Sequence, residues 1–554
     1  MLGAGFEPAW GFPPGILSPL RLPISPPERD GGILHRATGA QLAFAGMIRP
    51  LAPAALLLAL ALGHAGAQLP LITVPRGALR IDLDGSFYPN DQVWDNGARR
   101  PLGAMLDGSS NALVTGLENS LAQVLGQPVS GLSLGRISAI AAREHGVGNV
   151  GLALGLTRRI SVFGTVPWVF VRSRVSLTVD ASTARVGLNP GPAQYDEFFR
   201  QFDAALASLA LRVQHGDFAG DPTTLALAQQ TLASASALRA GSFTLLADPV
   251  RASPVLPTST DAYGGLLLTQ VASLQSTLSN QLGVPGFTLA PRLPATPLTS
   301  DQFTALLGSP GGFALTSSNI LPQVVLGDLE AGVAVQVAQH GTAGVASWSA
   351  AWMRFAARFP TGSAADPSVL LSQGSGDQHP ALQVDGILEL GRRRVGIRAE
   401  AAYQHQLPRS SFQRIGAPDQ ALVPASYLAA VRSQPGDSFA VTVRPFIGFA
   451  PHLAVAALAQ YWWKGMNRTG YVTNQPAIAG TDPSQLDVGS AANAVVIGIG
   501  LSYVYTGAGR DGSVGLPVEA GWSIERTVAS GRGIFPYALT SRVSLHIYRP
   551  LIKH

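Results

Sequence analysis

The chain has 554 residues, of which 46% are hydrophobic and only 13% are Asp, Glu, Lys or Arg, about half the charged share of an ordinary soluble domain. A net charge of +5 demands no nucleic-acid partner, and the absence of cysteine excludes disulfides, thiolate metal sites and cysteine nucleophiles. Low charge with high hydrophobicity points to a membrane, yet the best apolar run, 51–62, falls short of the ~20 residues a membrane helix needs.

Lipid accepts only two backbone solutions, the helix and the closed barrel, because both satisfy every N–H and C=O internally. The expected fold is therefore an all-β, antiparallel transmembrane barrel. Residues 1–46 are rich in Pro and Gly and show no period, and Met47 is the expected true start. Residues 47–67 have the order of a secretory signal. Met47 and Arg49 form a basic start, Leu51 to Leu62 an apolar run, and Ala65-Gly66-Ala67 a small-residue cleavage site. The mature chain is then expected to begin at Gln68 and to form the barrel over 68–554.

Alternation of apolar with polar or small residues predicts strands at 79–88, 133–143, 147–157, 160–172, 328–340, 345–359, 381–391, 394–406, 438–449, 452–463, 494–506, 517–527 and 537–548. The count is odd, whereas single-chain bacterial barrels normally have an even number, so about 12 or 14 strands are expected. Segment 79–88 is the weakest member. The hairpin over 382–403 is clearest: Leu382, Val384, Leu388 and Leu390 run to Gly391-Arg392-Arg393, and Val395, Ile397, Ala399, Ala401 and Tyr403 return. A slip of one residue there would turn Asp385, Glu389, Arg398 and Glu400 into lipid, which fixes the register. A soluble β-sandwich shares this alternation. The signal segment, the low charge and the many charged-against-aliphatic strands favour the barrel.

One long stretch, 181–327, does not alternate. It reads as a partly helical insert, with helical patterns across 194–283, and Ala112 to Leu125 reads as a further helix.

The polar faces supply the candidate lumen lining: Asp328, Glu330, Arg354, Asp385, Glu389, Arg398, Glu400, Arg444, Glu519, Glu525 and Arg542. Such charges either set a transverse field that filters solutes or pair across strands to fill the barrel. Trp168, Trp352, Tyr461, Trp462, Trp463, Tyr503, Tyr505 and Trp522 are the candidates for interfacial aromatic girdles. No catalytic set stands out. Gly507-Ala508-Gly509-Arg510-Asp511-Gly512 has dinucleotide-loop spacing but is followed by Pro517 and a strand, so it reads as a barrel turn. Gly131-Leu132-Ser133-Leu134-Gly135 has nucleophile-elbow spacing without a following helix, and His145 is its one conceivable base. The histidines show no metal spacing. No metal or cofactor is expected.

The run from Gly151-Leu152-Ala153-Leu154-Gly155-Leu156-Thr157 through Arg158-Arg159 to Val166-Pro167-Trp168-Val169 resembles a strand, turn and strand of outer-membrane transporter-type barrels. These include the phenol meta-pathway outer-membrane family and relatives of long-chain fatty-acid transporters. The resemblance covers a small part of the chain, and the helical insert departs from it. It implies a bacterial outer-membrane channel or transporter, and the substrate does not carry over from it; the first reading of the chain is a channel or transporter for small solutes, hydrophobic ones included. The alternative is a barrel without transport that displays the insert. Outer-membrane lipid, small-molecule solutes and the barrel-assembly machinery are the expected partners.

Overall fold

The structure, a computed structural model, describes residues 69–551 except 108–110, 250, 317–322, 342–346, 417–419, 421, 451, 479 and 509–513. The expected upstream segment 1–46 and the expected signal 47–67 lie outside the described residues.

Twelve antiparallel strands form the wall. They are β1 Ala78–Asn90, β2 Arg136–Gly155, β3 Ile160–Asp180, β4 Leu329–His340, β5 Ser347–Phe359, β6 Ala381–Arg392, β7 Val395–Gln406, β8 Ser438–Ala450, β9 Leu453–Lys464, β10 Ala492–Ala508, β11 Val514–Arg532 and β12 Leu539–Pro550. Each pairs with its neighbours in sequence, and β1 pairs with both β2 and β12, which closes the ring. The segment Gln323–Leu326 continues β4 along β3 after a two-residue break, so it adds no strand to the circumference.

This corrects the odd count. Segments 133–143 and 147–157 belong to one strand, β2, and the suspected 79–88 is a full member of the wall. Glu144, His145 and Gly146 suggested a link between two strands. The chain runs straight through them because His145 and Gly146 are buried on β2 and stay in register with β1 and β3.

The two ends differ. One end carries the short links 156–159 and 393–394, and there β1 begins and β12 finishes. The other end carries every long connection. Among these are 181–322, with α2 Asp196–His215, α3 Pro222–Leu246, α4 Ala262–Ser276 and α5 Ser300–Gly308, and the β1–β2 connection with α1 Ala112–Leu125. The strands β2 and β3 have 20 and 21 residues against 12 or 13 in most others. At about 3.3 Å per residue they are roughly 25 Å longer than those strands, and the excess projects at the long-loop end. The helices form one apolar core with the inner face of that projection, where Ile137, Ala141, Val175 and Val179 meet Leu113, Leu117, Phe202 and Leu246. Asn111 caps α1 by accepting from Leu113 N, and Gly126 in the left-handed region ends it.

Outward positions form an apolar belt. Leu152, Leu388, Ile447, Phe449, Ile497, Ile499, Val543 and Ile547 are all exposed, far more contiguous apolar surface than a soluble monomer shows. Inward neighbours are buried: Ile499 is 57% exposed and Ser502 2%. Ile499 sits near the middle of β10, so Ile499→Arg in lipid vesicles should lower unfolding free energy by about 2–4 kcal/mol. A urea titration of the folded protein in liposomes checks this; an unchanged midpoint would place Ile499 away from lipid.

Candidate functional site

The inner face brings most of the expected charges together, and it brings them together in pairs. Arg354 bonds Asp385, and Arg398 bonds Glu389. Arg542 lies 3.0 Å from Glu525 and Arg444 3.9 Å from Glu400. Glu519 accepts from His546 at 3.1 Å. Glu330 stands opposite Thr165 and Arg358 on the same face. Asp328 is placed differently. It sits at the break before β4, near the long-loop end, and accepts from the backbone N–H groups of Gly362 and Asp377 at 2.9 Å. It therefore anchors the β5–β6 connection to the rim.

Two aromatic assignments are corrected. Trp352 and Trp462 are inside the barrel, 2% and 5% exposed. Tyr461, Trp462 and Trp463 are consecutive in one strand, so strict alternation must turn the middle one inward. Trp352 faces inward beside Arg354 for the same reason. Trp168, Tyr461, Trp463, Tyr505 and Trp522 are exposed on the outer face, with Tyr503 half-buried among them.

The pattern missed a second cluster at the short-link end. Arg80, Asp82 and Asp84 of β1 face inward, with Arg80 Nε 2.7 Å from Asp82 and His546 Nε2 3.5 Å from Asp84. Leu79, Ile81 and Leu83 alternate with them, a signal present in the segment given least weight.

It also missed what this cluster holds. Residues 69–75 pass into the lumen instead of joining the wall. Leu71 N donates to Glu519 Oε1 at 3.0 Å, and Arg80 Nη1 donates to Leu71 O at 2.6 Å. Val74 N donates to Ser161 Oγ at 2.8 Å. Ile72 packs on Ala334, Ala350, Trp352 and Ile387, while Leu69 packs on Trp348 and Phe446. Leu71 and Val74 pack on Ala153 and Tyr548. These partners come from β2, β4, β5, β6, β8 and β12, so the arm crosses the barrel from wall to wall. Gly155 allows its approach: a Cβ there would lie 2.1 Å from Pro75 O. Pro70 and Pro75 lack the N–H that a strand ladder requires. Beside Leu69 a void of about 60 Å³ remains, lined in part by Asp84, Asn149, Arg444, Glu525 and Arg542. At 10–15 Å³ each it has room for about four to six waters.

At the long-loop end a cavity of about 430 Å³ opens between the connections and the tops of β7, β8 and β9. Its lining includes the apolar Leu106, Leu370, Leu371, Phe412 and Trp462 and the polar Gln404, Lys464 and Asn467. Burial holds the His379 imidazole below its ordinary value, so it is neutral here at pH 7.

The elbow-like Ser133 is bound to its own turn, its Oγ accepting from Gly135 N, and it leads into β2. His145 faces inward further along that strand, its ring stacked on Tyr88 at 5.1 Å. Of the Gly507–Gly512 turn, 509–512 lie outside the described residues; strands β10 and β11 flank it. No group of three or more metal-ligating side chains occurs among the described residues.

No family model and no curated protein matches the chain. Solved structures that match include the COG4313 outer membrane channel from Pseudomonas putida F1, at 10% identity and TM-score 0.37 over 88% of this chain and 100% of that one. A Pseudomonas aeruginosa FadL homologue matches at 8% identity and TM-score 0.25, over 86% of this chain and 91% of that one. The P. putida toluene transporter TodX matches at 8% identity and TM-score 0.23, over 87% and 92%. At these distances the fold rests on the strand pairing itself.

Proposed function

We propose that the chain is a bacterial outer-membrane channel for small solutes, stoppered by its own N-terminal arm. The observation that carries this is the arm. An eight-stranded barrel is filled by its wall side chains, and barrels of 16 or more strands leave an aqueous channel. Twelve strands lie between. Here the central space is occupied by one peptide, Leu69–Val74, held by a few hydrogen bonds, and cleavage after Ala67, which this proposal includes, would leave it attached at one end. A segment of that kind can leave; wall side chains cannot. Single-chain bacterial barrels keep short turns in the periplasm and long loops outside. The arm then enters from the periplasmic side, and the helical cap and the 430 Å³ cavity face the exterior. Exposed arginines at the short-link end, Arg158, Arg159, Arg392, Arg393, Arg394 and Arg549, suit the phosphate plane below the apolar belt. The paired lumen charges are read as filling and lining that hold the arm, with transport gated by it.

The filled lumen also supports a second reading, a surface barrel that displays the cap and transports nothing. Planar-bilayer recording of the refolded chain separates the two. Discrete, intermittent current steps are expected as the arm exchanges. Correctly inserted protein that stays silent, with the arm present or removed, would leave the display reading.

A further inference from the structure

The cavity at the long-loop end has a mixed apolar and polar lining, and part of its polar lining is built in a row. Gln404 of β7 stands opposite Ser438 of β8, and Ser438 stands opposite Lys464 of β9. The strands are about 4.8 Å apart, so Gln404 and Lys464 are separated by about 10 Å of backbone with one small side chain between them. Gln404 is 5% exposed, and its Nε2 has no hydrogen-bond partner among the described residues. Lys464 donates to Asn467 Oδ1 at 2.7 Å, and an ammonium has three N–H groups. Two residues below, on the same face of β9, the Trp462 ring closes the floor over Ala440 and Ala402. Leu370 and Leu371 line the same cavity.

The other charges lining this cavity are engaged. Arg414 donates to the carbonyls of Pro367, Val423 and Ala314 at 2.6–3.0 Å. Arg409 donates to Gln378 O at 2.7 Å. Asp377, an anionic neighbour of Lys464, lies 3.3 Å from Arg358 and accepts from Gln406 at 3.1 Å. Asp366 accepts from Ser368 N at 2.8 Å. Arg409 and Arg414 are held by backbone carbonyls, and Lys464 is the cation within the row, beside apolar lining.

We infer that this cavity binds a small organic monocarboxylate with an apolar ring or short chain. The carboxylate accepts from Lys464 and Gln404 above Ser438, and the apolar body lies against Trp462, Leu370 and Leu371. A neutral hydrocarbon would leave the Gln404 amide buried without a partner, and a bare inorganic anion would leave apolar lining such as Phe412, 64% exposed, in water; the amphiphile satisfies both. This deepens the channel reading, since it makes the cavity the outer recognition site of that channel.

The test is calorimetric titration of the refolded full chain in detergent with benzoate, benzyl alcohol and acetate. Benzoate is expected to saturate one site. Benzyl alcohol, which lacks the charge, and acetate, which lacks the ring, should each bind at least about tenfold more weakly. Lys464→Met should weaken benzoate by about tenfold or more, and Lys464→Arg should keep most of the affinity. Equal binding of benzyl alcohol overturns the carboxylate, equal binding of acetate reduces the site to an adventitious anion, and unchanged affinity in Lys464→Met overturns the role of the row. Bilayer currents recorded on the same preparations keep the two readings apart. Currents without benzoate binding overturn this inference alone; benzoate binding without currents overturns the channel alone.

Discussion

Removing residues 69–74 should raise single-channel conductance several-fold and replace intermittent steps with long open periods. The arm fills the middle of the barrel, and Leu69, Leu71, Ile72 and Val74 are all buried there. Each apolar side chain contributes about 1.5–3 kcal/mol of burial at most, so the truncated barrel also loses stability. That loss is bearable because the wall is hydrogen-bonded around a complete ring without the arm. A second variant guards against a barrel that fails to fold. Ile72→Asp keeps the chain length and places a carboxylate among Ala334, Trp352 and Ile387, which should expel the arm. Heat-modifiable migration on a gel shows that each variant is folded. Folded variants with wild-type currents would show that the arm is no stopper.

The second large effect is expected at Arg398, 1% exposed on the inner face. It stands opposite Glu389 on one side and Arg444 on the other. Two arginines side by side are tolerable only because Glu389 shares their row and Glu400 lies two residues along β7 from Arg398, within 3.9 Å of Arg444. Arg398→Ala leaves buried carboxylate without its cation, and breaking such a pair typically costs about 3–5 kcal/mol. The double variant Arg398→Met with Glu389→Met removes both charges and should recover most of the loss. Urea unfolding in liposomes reads both. A small loss in Arg398→Ala, with changed ion selectivity once the arm is removed, would instead mark the row as a solute filter bathed in water.

Alternation was readable because it is local. Lipid on one side and packed polar groups on the other impose a period of two along each strand. That period exposes Ile497 and Ile499 on one face and Ser502 on the other without knowledge of any neighbour. The same logic placed Asp385, Glu389, Arg398 and Glu400 inside, and helical spacing over 194–283 and 112–125 marked the cap. The errors arose where a local cue misled. Polar and glycine residues at 144–146 imitated a turn within β2, and aromatic character outweighed parity at Trp352 and Trp462.

By itself, then, the sequence determined the barrel class, the facing of most of its strands and the position of the helices other than α5. Tertiary structure alone decided the number of strands, the pairing of each lumen charge and the place of the arm. The physical reason is distance along the chain. The bond from Leu71 to Glu519 spans 448 residues, and the closing pair β1–β12 joins the two ends of the barrel. Such contacts leave no period in the sequence. An apolar stretch bounded by Pro70 and Pro75 shows only that it belongs to no sheet; the closed wall around it shows that it belongs inside.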